Sequence, residues 1–292
     1  MEIVPIAFDS MGTRSMCTYV RTSDVGILID PGVSLAPSRY GLPPHPLEFQ
    51  RMEEHHAEIV RYAGEAEVFI VTHYHYDHHL PDEPELFEGK IAYLKHPTEN
   101  INRSQRGRAK YFLEQLRGYP KRLEYADGNE ARFGGTHIRF SPAVCHGTNN
   151  RLGYVVEISI ECEGEKLVFT SDVEGPALEE QIQFILEEKP DTLIVDGPMT
   201  YMLGYRYSRA SLEKSNENLV RAIREAGVQR IIIDHHFMRD LQYRERIGPV
   251  YEAARDEGAE VQSAAEFAKK PVDMLEAHRK ELYKGDYKSP TG

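Results

Sequence analysis

One stretch constrains this chain more than any other: EVFIVTHYHYDHHLP, Glu67–Pro81. An apolar, β-branched run ends at Thr72 and releases His73, Tyr74, His75, Tyr76, Asp77, His78 and His79. Residues two apart in extended backbone point the same way, so His73 and His75 can converge on one metal ion. As the chain turns, Asp77 and His78 can face a second ion beside it. Imidazole nitrogen and carboxylate oxygen suit zinc, iron or manganese. A surface cluster of solvated histidines does not usually follow directly on a buried strand, which favours a metal site at the strand end.

The rest of the chain supplies the scaffold. Short apolar runs recur, among them EIVPIAF, VGILID, KIAYL, THIRF, KLVFTS, TLIVD and RIIID, several continuous as in strands buried on both faces. Helices are expected over Leu47–Ala63 (with Phe49, Met52, Ile59 and Tyr62 near one face), Pro176–Lys189, Ser208–Gly227 and Gln242–Gly258, the last two each stopped by a glycine. Two strand-rich blocks, each followed by alternating helix and strand, predict two β-sheets packed face to face with helices outside, an αββα sandwich. No repeat and no Gly/Ser linker divides the chain. One domain over residues 1–270 is expected, followed by a C-terminal helix and frayed polar tail over 271–292.

Composition narrows the function classes. The 35 Lys+Arg against 47 Asp+Glu give a formal charge of −12, a poor balance for non-specific binding to nucleic acid or an anionic membrane. Three scattered cysteines without CxxC spacing argue against a disulfide framework and a cysteine-rich zinc ribbon. There is no signal-peptide pattern at the N-terminus and no apolar window of bilayer length, so a soluble, cytoplasmic protein is expected.

The HYHYDH segment resembles the H-x-H-x-D-H signature of the metallo-β-lactamase superfamily. Further marks of that family follow in order, each at a strand end. Asp30 closes VGILID like the family's early structural Asp. His146 follows SPAVC, Asp172 closes KLVFTSD, and RIIID opens into His235 and His236. The phrases DSMGTRSMCTYV and YGLPPHPLE also resemble a mainly archaeal hydrolase branch of the superfamily. The resemblance covers roughly Met1 to Phe237 and implies the αββα fold and a dinuclear centre of two divalent ions, zinc first, with iron or manganese as alternatives. It implies His73, His75 and His146 on one ion, Asp77, His78 and His235 on the other, and Asp172 bridging both. Such a pair would hold a shared hydroxide as nucleophile. His235 and His236 are adjacent, and the resemblance favours His235 as ligand. His236 is then an orienting group, a proton donor to the leaving group, or a core histidine. Asp77 and His236 are the catalytic candidates. Asp30 is read as orienting a ligand, and His79 as either a donor to a carboxylate or a partly exposed packing residue.

Substrate signals are thinner. DGPMTYMLGYRYSR leaves the strand TLIVD, and its Tyr201, Tyr205, Arg206 and Arg209 suit a ring and a phosphate, while a loop closed by packed aromatics is the competing reading. Asn102–Arg122 is the most basic stretch, with Arg103, Arg106, Arg108, Lys110, Arg117, Lys121 and Arg122 against Glu114 alone. It is either a solvated face or a site for a phosphate backbone. The leading expectation is therefore a metal-dependent hydrolase of a phosphodiester or other phosphorylated small molecule, with nucleic acid as an alternative substrate and no membrane partner. A thioester, lactone or amide hydrolase, a di-iron redox protein and a non-catalytic nucleic-acid-binding protein are the alternatives. Nothing in the sequence sets the oligomeric state, and a homo-oligomer is admitted.

Overall fold

The computed structural model describes residues 1–290. The chain forms two compact units, Met1–Ala126 joined by the chain from Ala264 onward, and Asp127–Ser263.

The first unit carries a six-stranded sheet in chain order: β1 (Glu2–Phe8), β2 (Met16–Arg21), β3 (Gly26–Ile29), β4 (Val68–Val71), β5 (Ile91–Leu94) and β6 (Arg122–Tyr125). The first three strands run antiparallel and β3 to β6 run parallel. Helices α1 (Pro46–Glu65) and α2 (Arg103–Gln115) provide two of the crossovers that parallel strands require. Ile6, Leu28, Ile59, Phe69, Phe87 and Phe112 belong to its core.

The second unit has seven strands: β7 (Glu130–Phe133), β8 (Thr136–Phe140), β11 (Ile158–Cys162), β12 (Glu165–Phe169), β13 (Thr192–Asp196), β14 (Arg230–Asp234) and β15 (Glu260–Gln262), with a two-stranded ribbon of β9 (Val144–Cys145) and β10 (Tyr154–Val155). Here too antiparallel strands come first and parallel strands follow, from β12 to β15. The helices are α3 (Glu179–Glu188), α4 (Arg209–Arg224), α5 (Tyr243–Arg246) and α6 (Gly248–Glu257). The expected α/β class with two mixed sheets is what the chain adopts. Among the described residues no helix is long and apolar enough to cross a membrane.

Several expectations need correction. The helix expected over Gln242–Gly258 is two, divided at Ile247, because Pro249 has no N–H for a continuous helix and suits the first turn of a new one. Helix α3 begins at Glu179, three residues after Pro176, where Leu178 N donates to Gln181 Oε1. Phe49 is 46% exposed. The buried face of α1 instead carries Glu48, Arg51, His55, Ile59 and Ala63, because the C-terminal segment docks there. On that face Arg279, in the residue range read as helix and tail, is fully buried and paired through both Nε and Nη2 to Glu48, at 2.8 and 2.7 Å. Arg51 donates to Asp273, which also accepts from Tyr287 and Ser289. The expected terminal helix is the short α8, Arg279–Lys284, which follows the single turn of α7, Ala264–Phe267.

Candidate metal centre

In the first unit the histidine loop is built on two parallel strand ends. Strand β3 ends beside β4, with Ile29 opposite Ile70, and Asp30 N donates to Ile70 O. The Asp30 carboxylate is fully buried. Oδ1 accepts from Thr72 N at 2.8 Å, and Oδ2 accepts from Thr72 Oγ1 at 2.7 Å and His78 Nδ1 at 2.8 Å. That bond places the proton of His78 on Nδ1 and leaves Nε2 as its ligand atom. Burial pushes the Asp30 carboxyl up, while the His78 ring and the Thr72 bonds oppose the shift. His73 Nε2 lies 3.1 Å from His75 Nδ1, and ligand atoms of Asp30, His73 and His78 fall within 4.8 Å of one another. The turn is closed by His78 N donating to His75 O. Gly32 lets it sit close, since a Cβ there would be 2.2 Å from His79 N. Tyr74 points away, its hydroxyl bonded to Lys95 O. His79 differs from both expectations. It is fully buried, donates through Nδ1 to His75 O at 2.8 Å, packs on Phe112, and has its pKa lowered to about 4 by burial.

In the second unit, His146 follows β9 and Asp172 follows β12. The Asp172 carboxylate lies between two imidazoles, with Oδ2 3.2 Å from His146 Nε2 and Oδ1 3.4 Å from His235 Nε2. Ligand atoms of Asp172, His235 and His236 also fall within 4.8 Å of one another. Strands β13 and β14 repeat the device of the first unit. Asp196 ends β13 opposite Asp234, and its carboxylate accepts from His236 N at 3.0 Å and His236 Nδ1 at 2.9 Å. His236 is thereby oriented with Nε2 left for other partners. Burial first, then the charges of Arg239 and His235, holds its pKa well below the ordinary histidine range. In both units an aspartate ends one parallel strand and orients a histidine beyond the end of the next. Backbone strain marks the same places: Asp30, Ser171, Glu174 and His235 all have left-handed φ, between 48° and 60°.

Asp196 and Glu174 are site residues that the sequence reading missed. The signal for Asp196 was its place at the end of TLIVD, the same position Asp30 holds in VGILID. Glu174 stands two residues past Asp172 in SDVEGP. It is 4% exposed, its Oε1 has no hydrogen-bond partner among the described residues, and that atom lies 3.8 Å from His146 Nδ1. Burial pushes its carboxyl up. A cavity of about 350 Å³ is lined by His146, Arg151, Glu174, Tyr201, Tyr205 and Arg206, together with Leu152, Met199 and Met202. Of the expected substrate residues, Arg209 is not on this wall. It opens α4 behind the Ser208 cap and is exposed, and Arg151 supplies the second guanidinium. Tyr205 is 79% exposed at the rim.

The donors fit divalent metal ions. They are imidazole nitrogens and carboxylate oxygens at hydrogen-bonding to ligating separations, buried, and held by orienting partners. Where each expected ligand stands is as follows: His73, His75, Asp77 and His78 share the first-unit loop, and His146, Asp172, His235 and His236 share the second-unit cluster.

No protein-family model matches the chain. The metallo-β-lactamase fold protein YhfI from Bacillus subtilis is similar in structure, with a TM-score of 0.54 and 16% identity over 89% of this chain and 95% of that one. The isothiocyanate hydrolase from Delia radicum gut bacteria has a TM-score of 0.53 and 14% identity over 87% and 94%. These likenesses show the fold. A UPF0282 protein from the archaeon Korarchaeum cryptofilum is 55% identical over 284 residues, 97% of this chain and 94% of the relative. With the expected fold and so extensive an identity, this chain belongs to the UPF0282 family of archaeal proteins, on the metallo-β-lactamase fold.

Proposed function

We propose that this protein is a dinuclear metal-dependent hydrolase acting on a phosphodiester or other phosphorylated substrate. The observation that carries the reading is the Asp172 carboxylate, which turns one oxygen toward His146 Nε2 and the other toward His235 Nε2. A carboxylate so disposed suits a bridge between two cations. In this reading His73, His75 and His146 hold one ion, Asp77, His78 and His235 the other, and zinc is the favoured metal. Divalent ions bound by these donors supply a nucleophile from water near neutral pH and stabilise charge developing on the substrate.

The chain's own groups do the rest. Asp30 and Asp196 fix the tautomers of His78 and His236 through their Nδ1 atoms. With its proton on Nδ1 and its pKa held low, His236 presents Nε2 as a proton acceptor, suited to orient the attacking water and take its proton, and Asp77 joins it as the second acid–base group. Arg151 and Arg206 on the cavity wall suit an anionic group, with Tyr201 and Tyr205 suited to a ring. The apolar Leu152, Met199 and Met202 on the same wall support a second reading, hydrolysis of a thioester, lactone or amide. Three free cysteines support a reducing compartment, and we read the protein as cytoplasmic.

The test is metal analysis of protein purified without chelators, followed by turnover of phosphodiester, thioester and lactone substrates. About two ions per chain are expected. His73→Ala should lose one ion and nearly all turnover, and Asp172→Asn should lower metal affinity. Full metal content and full turnover in His73→Ala would sink the proposal.

A further inference from the structure

Helix α2 has two faces with different work. On its inner side Gln105 Oε1 accepts from Tyr74 N at 3.2 Å, Arg108 donates to Tyr74 O and covers the Tyr76 ring at 4.6 Å, and Phe112 packs on His79. The helix is thus the support of the histidine loop. Its outer side repeats at helical spacing: Arg103, Arg106 and Lys110 share one stripe, and Arg117 just past its end continues it. All four are exposed. They edge a groove of about 610 Å³ with Pro97 and Leu113 on its wall and Glu114 as the one acid. At 1.5 Å per residue the row runs about 21 Å. Arg108 and Arg122, counted in the basic stretch of the sequence, are engaged elsewhere, on Tyr74 and Tyr76 and on Tyr93 and Glu124.

We propose that this face binds a single-stranded nucleic acid, the cations following consecutive phosphates and the exposed tyrosines beside the helix stacking on bases. The charge argument is direct. In a chain of formal charge −12 the four cations form a local row that a polyanion is drawn to against an overall negative balance. The occupant is a nucleic acid rather than an acidic peptide because Tyr111, 44% exposed beside the row with its hydroxyl donating to Asp82, offers a ring to a base, and Tyr76, 48% exposed with Arg108 over one face, lies next to it. Tyr76 lies between His75 and Asp77, so a strand held along α2 is delivered to the histidine loop. The proposal deepens the phosphodiester reading, and binding is measured apart from cleavage so that each can fail alone.

The experiment is fluorescence anisotropy with labelled oligouridylate and oligothymidylate of about 20 nucleotides, long enough for a groove of this kind, checked on gels for intactness. Four proteins are compared at several salt concentrations. They are the parent, the reversal Arg103→Glu/Arg106→Glu/Lys110→Glu/Arg117→Glu, a charge-matched control Lys214→Glu/Arg224→Glu/Arg230→Glu/Arg255→Glu, and the milder Arg106→Gln/Lys110→Gln. Both fourfold variants lower the formal charge by the same eight units. The reversal should weaken binding by about tenfold or more at low salt and flatten the log–log salt slope by roughly 3, at about 0.7 for each phosphate no longer neutralised. The control should bind like the parent, and the milder pair should show a smaller loss even if the reversal misfolds. No binding by the parent at low salt, an equal loss in the control, or an unchanged milder pair would overturn the proposal. Displacement of the strand by polyglutamate as readily as by unlabelled strand would overturn it in favour of an acidic protein partner. Binding without cleavage leaves this inference standing and removes these strands as substrates of the hydrolase, whose own test is the metal content and turnover of His73→Ala.

Discussion

Gly147 leaves the space that the Glu174 carboxylate fills: a Cβ at Gly147 would lie 2.3 Å from Glu174 Oε2 and 2.6 Å from its Cδ. Gly147 also has φ +71°. An alanine there meets two separate penalties, backbone strain and a collision with a buried side chain that faces His146. Gly147→Ala should therefore destabilise the protein by about 1–3 kcal/mol, read by urea denaturation. Combining it with Glu174→Ala should relieve the collision and leave the φ strain, so the two changes should be clearly non-additive. Strict additivity would show that the carboxylate does not occupy the space the glycine leaves.

Three donors converge on the Asp30 carboxylate, from Thr72 N, Thr72 Oγ1 and His78 Nδ1. Asp30→Asn keeps the shape but presents an NH2 to donors whichever way the amide is turned. At least one buried group is left unsatisfied, a loss of about 1–3 kcal/mol. Freed from its carboxylate, the His78 ring should hold metal about 10–100-fold more weakly. Asp196→Asn should act through His236, which is not a ligand in this reading, and so lower turnover while leaving metal affinity nearly as it was. Chelator competition beside thermal unfolding checks the first variant and turnover the second, and unchanged metal affinity in Asp30→Asn with full turnover in Asp196→Asn would remove the orienting roles.

His146, Asp172 and the 235–236 pair entered through the family resemblance, His146 following only the two residues of β9, whereas the histidine loop stood out because it follows an apolar run long enough to be a buried strand. The sheet strands with apolar cores were legible for the same reason. Strands β6, β7 and β15 were not, since RLEY, EARF and EVQ are short and half charged, as suits strands near the sheet margins. Asp196 and Glu174 escaped because their roles arise only in space. Asp196 orients a histidine 40 positions away, and it does so because parallel pairing sets Asp196 against Asp234. Phe49 was misread: a phenylalanine on an amphipathic helix is expected inside, until Glu48 and its partner Arg279 are known to hold the buried face.

That Arg279–Glu48 pair gives a stability prediction. Both side chains are fully buried, and Glu48 Oε2 also accepts from His45 N at 2.8 Å. Removing one partner strands the other charge away from water, a loss of about 3–5 kcal/mol. Arg279→Ala should lower the unfolding midpoint strongly. Arg279→Met with Glu48→Gln, which removes both charges of the pair, should recover much of the loss. A double variant as unstable as Arg279→Ala would mean that packing, not the unpaired carboxylate, sets the penalty.

His55 ties stability to pH away from the metal ligands. It lies on the buried face of α1 with Nδ1 2.6 Å from Thr13 Oγ1, and its pKa is lowered from 6.5 to about 3, first by burial and then by the charges of Arg51 and Lys270. The folded state therefore keeps this ring neutral where the unfolded chain takes up a proton. The unfolded state binds more protons between the two pKa values, so stability rises with pH across that window and is lost as pH falls from about 6.5 toward 3. The slope from one such group is at most about 1.4 kcal/mol per pH unit. Carboxylates elsewhere also titrate toward the acid end, so the readout is a difference. Between pH 7 and pH 5 the parent should lose up to about 2 kcal/mol more than His55→Gln in urea denaturation. The variant begins from a lower value at pH 7, having given up the packed ring and its bond to Thr13, and the two curves should draw together as the solution is acidified. Parallel curves would mean that His55 does not carry the pH dependence, and curves that diverge on acidification would mean that the ring is protonated in the folded protein.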